Sequence, residues 1–166
     1  MKELELKRVN SDNQDLRKLI EELDIYLSER YPESSIHSVN IETVDDDNVI
    51  FIIAYKNSIA VGCAALRPVD SQSCELKRMF VVENERGKGY SKIIYEEIES
   101  IASNTGYREI KLETGFEQPE AIGLYKKYGY KRIPKFGEYI NDPLSVCFAK
   151  KLTAGRKPPY RKGRPA

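Results

Sequence analysis

Residues 75–103, ELKRMFVVENERGKGYSKIIYEEIESIAS, constrain this chain more than any other stretch. The first part has strand character. It breaks at a charged turn from Glu83 to Gly89 and continues as an amphipathic helix. In that helix Tyr90, Ile94, Ile98 and Ile101 recur at helical spacing, with Ile93 and Ala102 beside them, while Lys92, Glu96, Glu99 and Ser103 face away. Arg86, Gly87, Lys88 and Gly89 therefore stand where a helix begins. The first amide groups of a helix have no internal partner, and the peptide dipoles add a partial positive charge there. Glycines admit an anion close to that backbone, so the pattern suits a pyrophosphate. It is neither a Walker loop, since Gly89 follows Lys88 where Ser or Thr is required, nor a dinucleotide fingerprint, whose third glycine would stand at Lys92.

Further strands and helices follow from periodicity and punctuation. Lys2 to Val9 alternates as an edge-side strand, and Ser11 or Asp12 can cap a helix reaching about Arg30 with Leu16, Leu19, Ile20, Leu23 and Leu27 buried. Val49–Tyr55 and Ile59–Val69 form a hairpin around Lys56-Asn57-Ser58, and Glu75–Val82 is the next strand. After the glycine loop and its helix, which ends near Gly106, come a strand over Arg108–Glu113 and a helix over Glu120–Tyr128 with Pro119 in its first turn. Tyr130–Ile133 and Leu144–Lys151 are the last strands, separated by the polar loop Pro134–Pro143. The order implies one α/β domain over residues 1–152 with a mixed sheet flanked by helices, in line with a length of 166 residues.

Two segments carry a family resemblance. RGKGYS, Arg86 to Ser91, resembles the acyl-coenzyme A loop of the GNAT superfamily of N-acetyltransferases, with Ser91 at a position that is usually Gly or Ala. QPEAIGLYKKYGY, Gln118 to Tyr130, is similar to that family's Asn-x-x-Ala-x-x-Leu-Tyr-x-Lys-x-Gly-Phe segment. There Ala121, Leu124, Tyr125, Lys127 and Gly129 match, while Gln118 and Tyr130 depart. The resemblance spans roughly Val49 to Leu152 and implies a GNAT-like fold and acetyl-coenzyme A as cosubstrate. It assigns the coenzyme to Arg86, Gly87, Lys88, Gly89, Tyr90 and Ser91, to Gln118, Ala121 and Lys127, and to the strand backbone of Met79, Phe80 and Val81. It implies Tyr125 as general acid toward the leaving thiolate and Glu75 as general base. Glu113 is the rival base, because the carboxyl ends of adjacent parallel strands face one crevice. Lys77 or Arg78 is a candidate partner for an acceptor carboxylate.

The expected reaction is direct transfer of an acetyl group to a primary amine, small-molecule or protein. The other reading is a non-catalytic acyl-coenzyme A binding or sensing module with a basic tail contacting nucleic acid. A homodimer is left open. Cys63, Cys74 and Cys147 have no metal-ligand spacing, His37 is the one histidine, and Asp45-Asp46-Asp47-Asn48 lacks the glycine and closing glutamate of a calcium loop, so no metal is expected. A charged amino terminus and the lack of a long apolar run suggest the cytoplasm and no membrane partner. Residues 153–166 form a basic tail with Arg156, Lys157, Arg161, Lys162 and Arg164. Setting those 5 aside leaves 22 of 27 basic residues against 26 acidic ones, about −4, so nucleic acid is not an expected partner of the domain.

Overall fold

The computed structural model describes residues 4–37, 40–115 and 119–153. Strand β1 (Glu5–Val9) leads into helix α1 (Gln14–Ser28). Strands β2 (Ile50–Lys56), β3 (Ile59–Pro68) and β4 (Ser73–Val81) follow, then helix α2 (Tyr90–Thr105), strand β5 (Glu109–Gly115), helix α3 (Pro119–Lys127) and strands β6 (Lys131–Ile133) and β7 (Ser145–Lys151). They build one seven-stranded sheet ordered β1-β2-β3-β4-β5-β7-β6. All pairings are antiparallel except β4 with β5. The element order and mixed sheet agree with the sequence reading. Strand β1 lies at the edge, as its alternation suggested.

Local chemistry explains most boundaries. Lys56 pairs with Ile59, so Asn57 and Ser58 alone form the hairpin turn, both at positive φ (50° and 67°), which is the twist-compatible geometry for a two-residue loop. The cap of α1 is Asn13, not Ser11 or Asp12: its side chain accepts from the Leu16 amide at 3.0 Å. Ser11 is drawn away by Asp46, which accepts from both its amide and its hydroxyl. The aspartate turn is thus a bracing element, and among the described residues no cluster of His, Cys, Asp and Glu could hold a metal ion. The three cysteines are buried and free. Among the described residues no helix is long and apolar enough to cross a membrane.

The sheet has a core on each face. On one, Leu16, Leu19, Ile20 and Leu23 of α1 cover Phe51, Ile53, Cys63, Ala65 and Phe80. On the other, Ile94, Ile98 and Ala102 of α2 cover Ile52, Ala54, Leu66, Leu76, Ile110 and Leu112. The alternation of β2 sends successive side chains to opposite cores. The α2 stripe is rotated slightly from its sequence reading: Tyr95 is buried, whereas Ile93 is 37% exposed. Gly62 allows α2 to approach β3. A Cβ there would lie 2.8 Å from Ile94 Cδ1 and 2.9 Å from the Phe80 carbonyl oxygen, and the latter is backbone that cannot rotate away. Gly123, inside α3, has no such neighbour within 4 Å.

These two glycines are expected to respond oppositely to alanine. Gly62→Ala overpacks the α2 face and should lose about 1–3 kcal/mol. Gly123→Ala should gain about 0.5–1 kcal/mol from reduced chain entropy. Urea unfolding of both variants checks this; equal stability for Gly62→Ala and the parent would show that α2 is not close-packed at that point.

Candidate active site

Strands β4 and β5 pair only through Ser73↔Glu109, Cys74↔Ile110 and Glu75↔Lys111. Beyond these rows β4 continues against β3 and β5 against β7. The carboxyl ends of this pair, the one parallel pair among the described residues, part company, and a cleft of about 830 Å³ opens, lined by residues 75–81 of β4 and 112–115 of β5. A bulge sharpens the divergence. Cys63 pairs with Phe80 and Ala65 with Lys77, so Arg78 and Met79 together face the single residue Ala64. Arg78 takes φ +56°, a conformation that costs an L-residue about 1–2 kcal/mol. Its side chain is held by Asp24 of α1 at 2.6 Å and its carbonyl accepts from the Cys63 thiol at 3.4 Å. The bulge takes Arg78 and Met79 out of one-to-one pairing with β3 at the cleft wall, while Phe80 and Val81 stay paired with Cys63 and Gly62.

The amino end of α2 forms the next part of this wall. Gly87 and Gly89 have φ +79° and +83°, and a Cβ at either would meet nothing within 4 Å. No side chain caps the helix, so its first amides are open to an anion. Arg86, Gly87 and Ser91 line the cleft. Arg86 is bent back, donating from Nε to the Val81 carbonyl at 2.8 Å, with its guanidinium 5.0 Å from the Tyr26 ring centre and 5.4 Å from that of Phe80. Lys88 is paired with Glu85 at 2.9 Å and lies with Gly89 outside the cleft lining. Tyr90 is 1% exposed, in keeping with its place on the helix stripe, so its ring packs in the core beneath the loop. Ala121 and Tyr125 of α3 line the cleft; exposed Lys127 does not. Gln118 lies outside the described residues.

The two candidate bases differ sharply. Glu75 is 1% exposed, and both its oxygens are engaged. Oε1 accepts from Arg67 Nε at 2.9 Å and Oε2 from the Tyr139 hydroxyl at 2.5 Å. Lys77 donates to that same hydroxyl at 2.6 Å and to the His37 carbonyl. Glu113 is half-buried, and one oxygen accepts from the Ser145 hydroxyl at 2.6 Å. Burial pushes its carboxyl above the ordinary value against the opposing pull of Ser145, Lys77 and His37. Tyr125, also in the cleft, has its phenol pushed up to about 12 by burial, so it stays protonated around neutral pH. Lys77 and Arg78, considered for an acceptor carboxylate, are both engaged inside the protein.

The sequence did not reveal what closes this end. Asp142, buried in the loop before β7, accepts from Ser35 at 3.0 Å, bonds His37 Nε2 at 2.8 Å and accepts from the Leu144 amide at 2.9 Å. It therefore clasps the loop after α1 to the β6–β7 loop, and both line the cleft through His37, Tyr139 and Leu144. These contacts span more than 100 positions, and neither loop has a periodicity that announces them.

A family model described as "Acetyltransferase (GNAT) family" matches residues 14–130. The IAA acetyltransferase of Azospirillum brasilense is 38% identical over 136 residues, covering 81% of this chain and 88% of that protein. A Klebsiella pneumoniae protein assigned as an acyl-CoA N-acyltransferase superposes with a TM-score of 0.79 at 25% identity, over 90% of this chain and 98% of its own. A GNAT family acetyltransferase from Elizabethkingia anophelis, solved with acetyl-CoA bound, superposes with a TM-score of 0.67 at 18% identity, over 92% and 100%.

The clasp makes stability depend on acid. Burial opposes the charge of Asp142, but the bonds from His37, Leu144 and Ser35 outweigh it and hold the carboxyl below its ordinary value. Its contribution is complete above the unfolded value near 4 and is lost as pH falls through the lower folded one. The stability gap between the parent and Asp142→Asn should therefore shrink below about pH 4. Urea midpoints from pH 7 down to 3 measure it; a gap that stays constant would mean that the carboxylate charge contributes nothing to the clasp.

Proposed function

This chain belongs to the acetyltransferase (GNAT) family, and on that premise we propose that it moves an acetyl group from acetyl-coenzyme A to the primary amine of a small molecule by direct attack. The observation that carries this reading is the convergence, in one cleft, of a raised carboxyl, a protonated phenol, bulged strand backbone and an uncapped helix start. The open glycines at Gly87 and Gly89 suit the pyrophosphate, with Arg86 and Lys88 adding charge and the strand wall at Met79, Phe80 and Val81 meeting the pantetheine amides. The acetyl-coenzyme A held by the Elizabethkingia relative supports the choice of cosubstrate.

An alkyl amine is mostly protonated at neutral pH and must lose a proton to attack. We assign that proton to Glu113 rather than Glu75. Both Glu75 oxygens already accept bonds, whereas Glu113 is raised toward the working range of a base. The nitrogen–carbon bond then forms while the carbonyl oxygen gains charge beside the amides of the bulge. On collapse the carbon–sulfur bond breaks, the nitrogen sheds its second proton, and the thiolate takes one. Tyr125 supplies the donor. With a phenol near 12 and a thiol near 8.5, it stabilises the thiolate chiefly through a strong hydrogen bond rather than by transfer in advance. Glu75 and Glu113 line this end of the cleft together with Lys77 and Arg78, so net charge alone does not select the acceptor. The clasped loops favour a small one.

The first test is release of free thiol from acetyl-coenzyme A with a panel of primary amines; if none accelerates it, a binding module is the better description. Tyr125→Phe should lower kcat by about 10²–10⁴ with coenzyme affinity unchanged. Glu113→Gln should lose a similar factor at low pH and recover partly as free amine becomes abundant. Should Glu75→Gln, in a folded protein, show that pH-dependent loss while Glu113→Gln does not, the base is Glu75.

A further inference from the structure

Tyr31 and Gly115 come from distant parts of the chain and meet at the cleft. Tyr31 follows the end of α1, and Gly115 is the last residue of β5. A Cβ at position 115 would fall inside the tip of the Tyr31 ring, overlapping its hydroxyl oxygen and Cζ and lying 2.5 Å from Cε1. The phenol therefore rests on bare β5 backbone, in space that any other residue would fill. Both residues line the cleft, and Tyr31 is 9% exposed. The chain holds Tyr31 from both sides. Its amide donates to the Leu27 carbonyl at 2.9 Å, Pro32 follows at φ −65°, and Ser35 is bonded to Asp142 in the clasp.

The face of the sheet decides what this contact does. Leu76 and Leu112 belong to the core beneath α2. Strand side chains alternate, so Glu75 of β4 and Glu113 and Gly115 of β5 lie on the other face, that of α1. The uncapped start of α2 and Tyr125 of α3, which packs on the α2 core, border the cleft from the opposite side. A coenzyme held there leaves the α1 face as the acceptor's approach, and Tyr31 crosses that approach from α1 to β5.

We propose that Tyr31 is a specificity-determining bar, let down onto β5 by Gly115, that narrows the acceptor's way to the two carboxylates. The acceptor is then an amine at the end of an unbranched carbon chain, and an amine on a branched carbon, an α-amino group included, is refused. This deepens the transfer reading above and rests on it, and it holds whichever glutamate takes the proton. Direct proton transfer brings the nitrogen to about 2.6–3.2 Å from a carboxylate oxygen. The carbon that bears it then lies beside the ring, where a linear chain presents only hydrogens and a branch meets the phenol. The ring tip has no room to retreat, because the Gly115 backbone lies behind it.

Two arms test this on the full chain. The first reads the contact without substrate, as thermal midpoints of Gly115→Ala, Tyr31→Ala and the double variant. Gly115→Ala should lower the midpoint in the parent and lower it much less in the Tyr31→Ala background, because residues that share one space are not additive. Additive midpoints remove the contact and overturn the proposal. The second arm is kcat/KM by thiol release, with the best linear amine of the panel and with its counterpart methylated on the nitrogen-bearing carbon. The parent should prefer the linear amine. Tyr31→Ala should raise the methylated-to-linear ratio by about 10–200-fold, the range that one methylene of misfit is worth. Tyr31→Phe keeps the ring and should keep the parental ratio. Should Tyr31→Ala not fold, Tyr31→Leu takes its place in both arms, with the same directions expected. A parent indifferent to the methyl group, or a ratio unmoved in the shortened variant, overturns the proposal and leaves the transfer reading intact. So does a Tyr31→Phe ratio equal to that of the shortened variant, since the hydroxyl and not the ring would then select. If no amine of the panel releases thiol, the transfer reading fails and the proposal with it.

Discussion

The early end of the β4–β5 pairing is the constraint on which the rest depends. Parallel strands that stayed paired would close the sheet and leave no room between them. Here three rows hold the strands together, and the bulge at Arg78 and Met79 then bends β4 away. The bend places Arg78 in the left-handed region, and Asp24 and Cys63 offset that strain from α1 and β3. One distortion thus yields both the cavity and the backbone donors on its wall. It also explains why α1 and α2 lie on opposite faces yet both reach the site: each packs on a strand that borders the opening.

Electrostatics divides the cleft into two ends. At the start of α2 the field comes from open amides, with Arg86 and Lys88 held back by Val81 and Glu85. At the other end, Arg67, Lys77, Glu75 and Glu138 lie close together, with Tyr139 between Lys77 and Glu75. Such groups add little net stability when buried, because desolvation opposes their attraction. What they contribute is uniqueness. The loop after α1 and the β6–β7 loop have little regular structure to hold them, and the charged contacts of Lys77, His37 and Asp142 fix where they sit.

Glu75 and Glu113 both lie at the cleft, and they differ in burial and in how their oxygens are engaged. Each Glu75 oxygen accepts a bond from a neighbouring side chain, which anchors it in the core. Glu113 is less buried and bonded through one oxygen, and burial raises its carboxyl.

The sequence by itself determined the elements and their order. It also determined the place of the hairpin turn, the buried stripe of α1 and the glycine-containing start of α2, since each follows from contacts within a few residues. Periods of 2 and 3.6 and the φ preferences of Asn, Gly and Pro are local properties and are visible without a fold. Only the tertiary structure decided which groups meet. It left Lys127 outside the cleft and engaged both oxygens of Glu75. It also brought Tyr139 and Asp142, from an uninformative loop, to residues more than 60 positions away. The β4 bulge belongs to this second class, because a register shift is a relation between two strands. The direction and ionisation of a polar side chain depend on partners that chain distance hides, and only the folded chain supplies them.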